Sequence, residues 1–210
     1  MVINEGSAQK IWKVEFEGNE FVSDGRLRTQ IESKKPLMYV FKGYVDREQI
    51  DGDVERLTAY YRAFGYFTAK VGRKLEYNEQ GNWVTLRFVI SEGPRYQVRN
   101  VTHVGNQIFA NTSLEGGMKL PAGQMFEQAK MNTDLQWLKD LYGSQGYVFA
   151  DIQSEPVFLE EPGQIDLVYH IDEGKQWKVG RIFVHIDGDN PHTRIQTALN
   201  RLSIRPGQIV

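Results

Sequence analysis

Four histidines, His103, His170, His185 and His192, are the first residues to weigh for chemistry. Two histidines at i and i+4 on a helix, or histidines joined by cysteines, would hold zinc. None of the four has that spacing, and the chain contains no cysteine. Thiolate nucleophiles, disulfides and cysteine-based metal sites are thereby excluded. Two acidic runs, Asp51-Gly52-Asp53 and Asp187-Gly188-Asp189-Asn190, carry the oxygen ligands that calcium takes. An EF-hand loop also needs a glutamate at its twelfth position, where this chain has Arg62 and Ala198. Asp51 and Asp53 fit the first turn of a helix, where negative charge complements the dipole, and Asp187–Asn190 reads as a turn. Gly116-Gly117 is not followed by the Gly-Lys-Ser/Thr of a phosphate loop. No nucleophile–base pair can be assembled. The expectation is a protein that is not an enzyme and has no metal and no cofactor.

The elements that would position any site are set by a repeat. Ile50, Val54, Leu57, Tyr61, Gly65 and Tyr66 return 81 residues later as Met131, Leu135, Leu138, Tyr142, Gly146 and Tyr147. Val84, Leu86, Phe88, Ile90, Glu92 and Gly93 return in the same register as Ile165, Leu167, Tyr169, Ile171, Glu173 and Gly174. A register held this long means two tandem copies of one unit. Composition agrees with a folded chain: 210 residues, 40% hydrophobic, with a net charge of −2 that offers no basic surplus for nucleic acid. No run of 18 apolar residues exists to span a membrane as a helix.

Within each copy the pattern predicts β-α-α-β-β. A first strand ends at Gly18-Asn19 and again at Gly105-Asn106; a third such start follows from Val179. A short helix comes next, with Ser23 or Asp24 as first cap, one of Asn111, Thr112 or Ser113 as second and Thr193 as third. The second helix shows Ile50, Val54, Leu57, Tyr61 and Phe64 on one face and stops at Gly65, as its copy stops at Gly146. That places Tyr61 and Phe64 in a core and argues against base stacking by the local aromatic cluster. A second strand leaves from Tyr66 and from Tyr147, and a hairpin leads to a third with Val84, Leu86, Phe88 and Ile90 inward. The fold class is α+β: tandem units, each a three-stranded mixed sheet covered by two helices.

These residues resemble a known module. Asp53-x3-Leu57-x2-Tyr60-Tyr61-x3-Gly65-Tyr66-Phe67, then Ala69-Lys70-Val71 and the closing Ile90-Ser91-Glu92-Gly93-Pro94 and Ile171-Asp172-Glu173-Gly174, are similar to the signature of the POTRA (polypeptide-transport-associated) domain. The tandem array resembles that of outer-membrane protein assembly factors of the BamA family. The resemblance implies a leader at 1–9, POTRA-like domains at 10–93 and 94–175, and an incomplete third at 176–210. It implies a periplasmic scaffold for β-barrel insertion in the outer membrane. Its implied partners are unfolded outer-membrane proteins, accessory lipoproteins and a C-terminal membrane β-barrel of the same chain lying outside this piece, and no nucleic acid. The other readings are a two-partner secretion or autotransporter-assembly relative, and a cell-division or envelope docking scaffold.

The same resemblance points to the second strand as a usable edge, roughly Thr68 to Tyr77 and Phe149 to Leu159. The candidate client-strand residues are Thr68, Lys70, Gly72 and Lys74 in the first copy and Phe149, Asp151 and Gln153 in the second. An unpaired row of backbone groups can take an extended chain of any sequence. Lys70, Arg73, Lys74 and Pro156 are equally the residues that guard an edge against aggregation. The first copy also carries an insert, Lys34 to Tyr44, whose apolar part Leu37, Met38, Tyr39, Val40 and Phe41 is a candidate partner loop, a core plug or a loop packed on the next domain.

Overall fold

The computed structural model describes residues 9–33, 45–187 and 194–209. The candidate partner loop Leu37–Phe41 lies outside the described residues, as do Thr193 and His192. The chain forms two compact units. One runs to Val98 and takes in Gly123–Ala129 and Leu159–Ile165; the other comprises Arg99–Ala122, Lys130–Phe158 and the chain from Asp166.

The first unit contains β1 (Lys10–Glu17), α1 (Asp24–Arg28), α2 (Arg47–Ala63), β2 (Lys70–Tyr77) and β3 (Trp83–Ser91). Its sheet has the order β1-β3-β2, with β3 parallel to β1 and antiparallel to β2. Alternation along β3 sends Val84, Leu86, Phe88 and Ile90 to one face, where all four are buried. Leu27 of α1 and Ile50, Leu57 and Tyr61 of α2 close over them without exposure. Each such large apolar side chain contributes roughly 1.5–3 kcal/mol when taken out of water. Gly65 ends α2 with φ +89° and Gly146 ends its copy with φ +83°, the left-handed stop expected from the repeat.

The same order recurs in β4 (Gln97–Val104), α3 (Asn111–Glu115), α4 (Gln128–Ser144), β5 (Asp151–Phe158) and β6 (Gln164–Asp172), whose sheet runs β4-β6-β5. Ile165, Leu167, Tyr169 and Ile171 fill the places of the β3 residues and are buried. The final element is α5 (Ile195–Arg201).

Several local expectations are corrected. Ser23 is the N-cap of α1 but makes no side-chain cap bond, and α3 is capped by Ala110 instead of Asn111, Thr112 or Ser113. Two of the candidate side chains, Asp24 and Asn111, are engaged elsewhere. Asn19 Nδ2 donates to Asp24 Oδ1 (3.0 Å), and Asn106 Nδ2 donates to Asn111 Oδ1 (2.8 Å), so each tethers the turn that follows the first strand. The N-cap of α5 is Arg194. Asp46 caps α2, so Asp51 and Asp53 both fall beyond the first turn, whose acidic residue is Glu48. Residues 179–187 form no strand, and Lys178 makes an isolated bridge with Ile209. In the first unit the first strand is held by the third, as β1 is by β3, and among the described residues 179–187 have no such strand partner.

Candidate functional site: the free strand edges

β3 and β6 are the central strands, so β2 and β5 each lie at an edge of their sheet. Lys70 pairs with Ser91, Gly72 with Val89 and Lys74 with Arg87, and among the described residues the opposite side of β2 has no strand neighbour in its sheet. Lys70, Gly72 and Lys74 are exposed, alternating with Val71 and Leu75, which pack against the core. In β5, Asp151 and Gln153 are exposed and alternate with buried Ile152. Thr68 and Phe149 are not on these strands. They lie in the turns before them, which are closed by Ala69 N–H donating to Tyr66 O and Ala150 N–H donating to Tyr147 O (both 3.1 Å). The edges are therefore Lys70–Tyr77 and Asp151–Phe158.

The charges on β2 do not all stand guard. Arg73 turns to the helix side, where its guanidinium meets Asp51 at 2.6 Å. Lys74 meets Glu76 at 3.4 Å, and Glu76 in turn meets Arg87 at 3.2 Å. On the same sheet face Lys13 and Arg87 bond to the Glu15 carboxylate and hold it below the usual carboxylate range. Pro156 sits inside β5, where it has no N–H to offer an added strand.

Each unit carries two carboxylate latches that sequence reasoning missed. Asp53 is completely buried. It accepts from the backbone N–H groups of Glu32 (2.7 Å) and Ser33 (2.8 Å) and pairs with Arg56 at 2.5 Å. That bond to Asp53 is the main cause of a raised Arg56 pKa. Asp134 repeats the latch on Lys119 N–H (2.6 Å) and Leu120 N–H (2.9 Å). The residue matching Arg56 is Trp137, whose ring lies so close to Gly117 that a Cβ there would meet it at 2.1 Å. Burial raises the Asp134 pKa against the pull of its two N–H donors.

Glu92 and Glu173 form the second latch. Glu92 accepts from Phe21 N–H (3.0 Å) and Tyr61 Oη (2.9 Å); Glu173 accepts from Gln107 N–H (2.7 Å), Ile108 N–H (2.9 Å) and Tyr142 Oη (2.9 Å). Burial, reinforced by the neighbouring carboxylate, pushes both tyrosines well above their ordinary pKa. A signal for these residues was present: Asp, Tyr and Glu are identical in both copies, at positions where an exposed polar residue would be free to vary.

The histidines do not converge. His103 stacks on Tyr169 (5.6 Å, 18°) inside the second unit, whereas His170 is exposed and meets Glu155 at 3.1 Å. Among the described residues no group of three metal-ligating side chains comes together. What the two units share is a free second-strand edge on a sheet latched to its helices. A family model described as the surface antigen variable number repeat, POTRA, matches residues 9–93 and 96–174. The chain belongs to the POTRA family.

Its POTRA repeats are 28% identical over 196 residues to the outer membrane protein assembly factor BamA of Neisseria meningitidis serogroup B, covering 90% of this chain and 24% of that protein. They are 28% identical over 215 residues to BamA of Nitratidesulfovibrio vulgaris, covering 99% of this chain and 26% of that one. The chain thus spans about a quarter of the length of the curated relatives it matches. In fold it is similar to the crystal structure of Haemophilus influenzae BamA POTRA3-5, with a TM-score of 0.55 at 21% identity over 100% of this chain and 82% of that one.

Proposed function

We propose that these POTRA domains are the periplasmic part of an outer-membrane protein, acting as a scaffold that holds client polypeptides during β-barrel assembly. The role is binding and needs no catalytic group. The observation that carries it is the edge position of β2 and β5 in a tandem POTRA array. The backbone of an edge strand demands nothing of the incoming sequence, which suits a receiver of many β-rich clients. Each contact would be weak and reversible, and two modules on one chain raise the effective concentration of the second contact without a tight site. Similarity to assembly factors favours this reading over a secretion or cell-division scaffold. Accessory lipoproteins and a membrane barrel belong to the same proposal as partners, and so does the segment Leu37–Phe41 as a contact for one of them.

Amide chemical-shift mapping tests the edges. A peptide from an outer-membrane β-strand, titrated into the isotopically labelled chain, is expected to shift amides of Lys70–Tyr77 or Asp151–Phe158. Shifts confined to the exposed faces of α2 and α4 would overturn strand capture.

A further inference from the structure

The two edges are built on one fold but carry opposite chemistry. On β2 the solvent face presents Lys70, Gly72, Lys74 and Glu76 in alternation, with Lys74 at 3.4 Å from Glu76 and Lys70 in no salt bridge among the described residues. The matching residues of β5 are Asp151, Gln153, Glu155 and Val157, with Glu155 at 3.1 Å from His170. Both lysines have become acids and the glycine has become a long amide; on the other face Val71 and Leu75 correspond to Ile152 and Pro156, and Arg73, paired with Asp51, corresponds to Ser154.

Gly72 has no internal explanation. Its φ is not positive, and a Cβ built there would meet nothing closer than the Val89 carbonyl oxygen at 3.8 Å. A glycine inside a strand weakens it and often marks a close approach by another chain. Its neighbour Val89 is 41% exposed although it belongs to the central strand. The edge therefore has an apolar hollow floored by Val89, flanked two residues away on either side by an exposed lysine.

We infer that β2 selects its client strand: it takes an extended segment with a large apolar or aromatic residue flanked at both i−2 and i+2 by Asp or Glu. This rests on the strand-capture reading above and deepens it. Directly opposed side chains on adjacent strands interact, so acids beside Lys70 and Lys74 attract and the central ring fills the place Gly72 leaves empty. The pattern reads the same in both chain directions, so parallel and antiparallel addition both satisfy it. β5 rejects the same segment, because Asp151 and Glu155 repel its acids and Pro156 withholds a donor.

Three nine-residue peptides test the inference, identical except for Glu, Ser or Lys at both positions two residues from a central Phe. Each is titrated into the 210-residue chain at low salt, with the amides of Lys70–Tyr77 as readout. The Glu peptide is expected to bind about three to ten times more tightly than the Lys peptide, the range two cross-strand charge pairs supply. Lys70→Ser with Lys74→Ser should erase that preference, and Lys70→Glu with Lys74→Glu should reverse it. Gly72→Val should remove the advantage of the central Phe over Ala. Equal affinities in the unaltered chain, or a preference that survives the charge reversal, would overturn selection while leaving capture standing. If no peptide, the neutral one included, shifts these amides, both selection and capture fall.

Discussion

Removing the Asp53 carboxylate probes whether the first unit is held by a buried latch or by its apolar core alone. Asp53 has no exposure and satisfies two backbone donors, Glu32 N–H and Ser33 N–H, at 2.7 and 2.8 Å. Hydrogen bonds to a charged acceptor contribute about 1.5–3 kcal/mol each, and Ser33 N–H would be left buried without a partner. Arg56 adds little to the loss, because its side chain is 39% exposed and water can replace the pair. Asp53→Ala is therefore expected to cost about 3–5 kcal/mol, a large share of the roughly 5–15 kcal/mol that holds a domain together. Asp53→Asn keeps one acceptor oxygen and should cost less. Native-state hydrogen exchange measures the effect: amides of β3 should lose protection by that amount, with amides of β6 as the internal control. Asp134→Ala should produce the mirror result in β6. A loss of protection in β3 below about 1 kcal/mol would refute the latch, since a single neutral hydrogen bond would account for it.

Two further outcomes follow from the second unit and from the tyrosine latch. His103 is buried, no hydrogen-bond partner reaches either ring nitrogen, and burial lowers its pKa despite the nearby Glu115 carboxylate. A depressed histidine pKa means the unfolded chain binds the proton first, so the second unit should lose stability as pH falls through about 6.5, the unfolded value. Asp134, with its pKa raised, works in the opposite direction, but only as pH rises above about 3.8, the unfolded carboxylate value. Tyr169, raised far above neutrality, does not titrate in this range. His103→Phe installs the residue found at the matching place in the first unit, Phe16, which stacks on Phe88 at 5.6 Å and 17°. Thermal unfolding between pH 7 and pH 5 should show a falling midpoint for the parent chain and a flatter one for the variant; parallel slopes would contradict the assignment. Tyr61→Phe should cost only about 1–2 kcal/mol by urea denaturation, because Glu92 keeps its bonds from Phe21 N–H. A loss comparable to Asp53→Ala would show that the hydroxyl holds more than this one contact.

The repeat made most of the architecture legible. Alternation in Val84-Thr85-Leu86-Arg87-Phe88 and the 4-3-4-3 spacing from Ile50 to Phe64 are local patterns, and burial of Val84, Leu86, Phe88, Ile50, Leu57 and Tyr61 follows from them. The site was legible only in outline. Lys70, Gly72, Lys74, Asp151 and Gln153 lie on the edge strands, whereas Thr68 and Phe149 do not, because a turn intervenes after Tyr66 and Tyr147. Helix starts misled for a similar reason. Asp24 and Asn111 have the right side chains for caps, but Asn19 and Asn106 claim them.

The amino-acid order alone determined that two similar sheet-and-helix units stand in tandem and which residues fill their cores. Side-chain periodicity is a property of the backbone's own pitch and needs no distant partner. Periodicity could not order the strands: tertiary structure set β3 and β6 down the middle, with β2 and β5 at the rim that the resemblance implied, and it alone decided that Asp53 and Asp134 point inward. Strand order is written in main-chain hydrogen bonds between residues far apart in sequence, which are the same for every side chain. A buried carboxylate looks like any surface acid until the donors it meets, Ser33 N–H and Leu120 N–H, are brought to it by the fold.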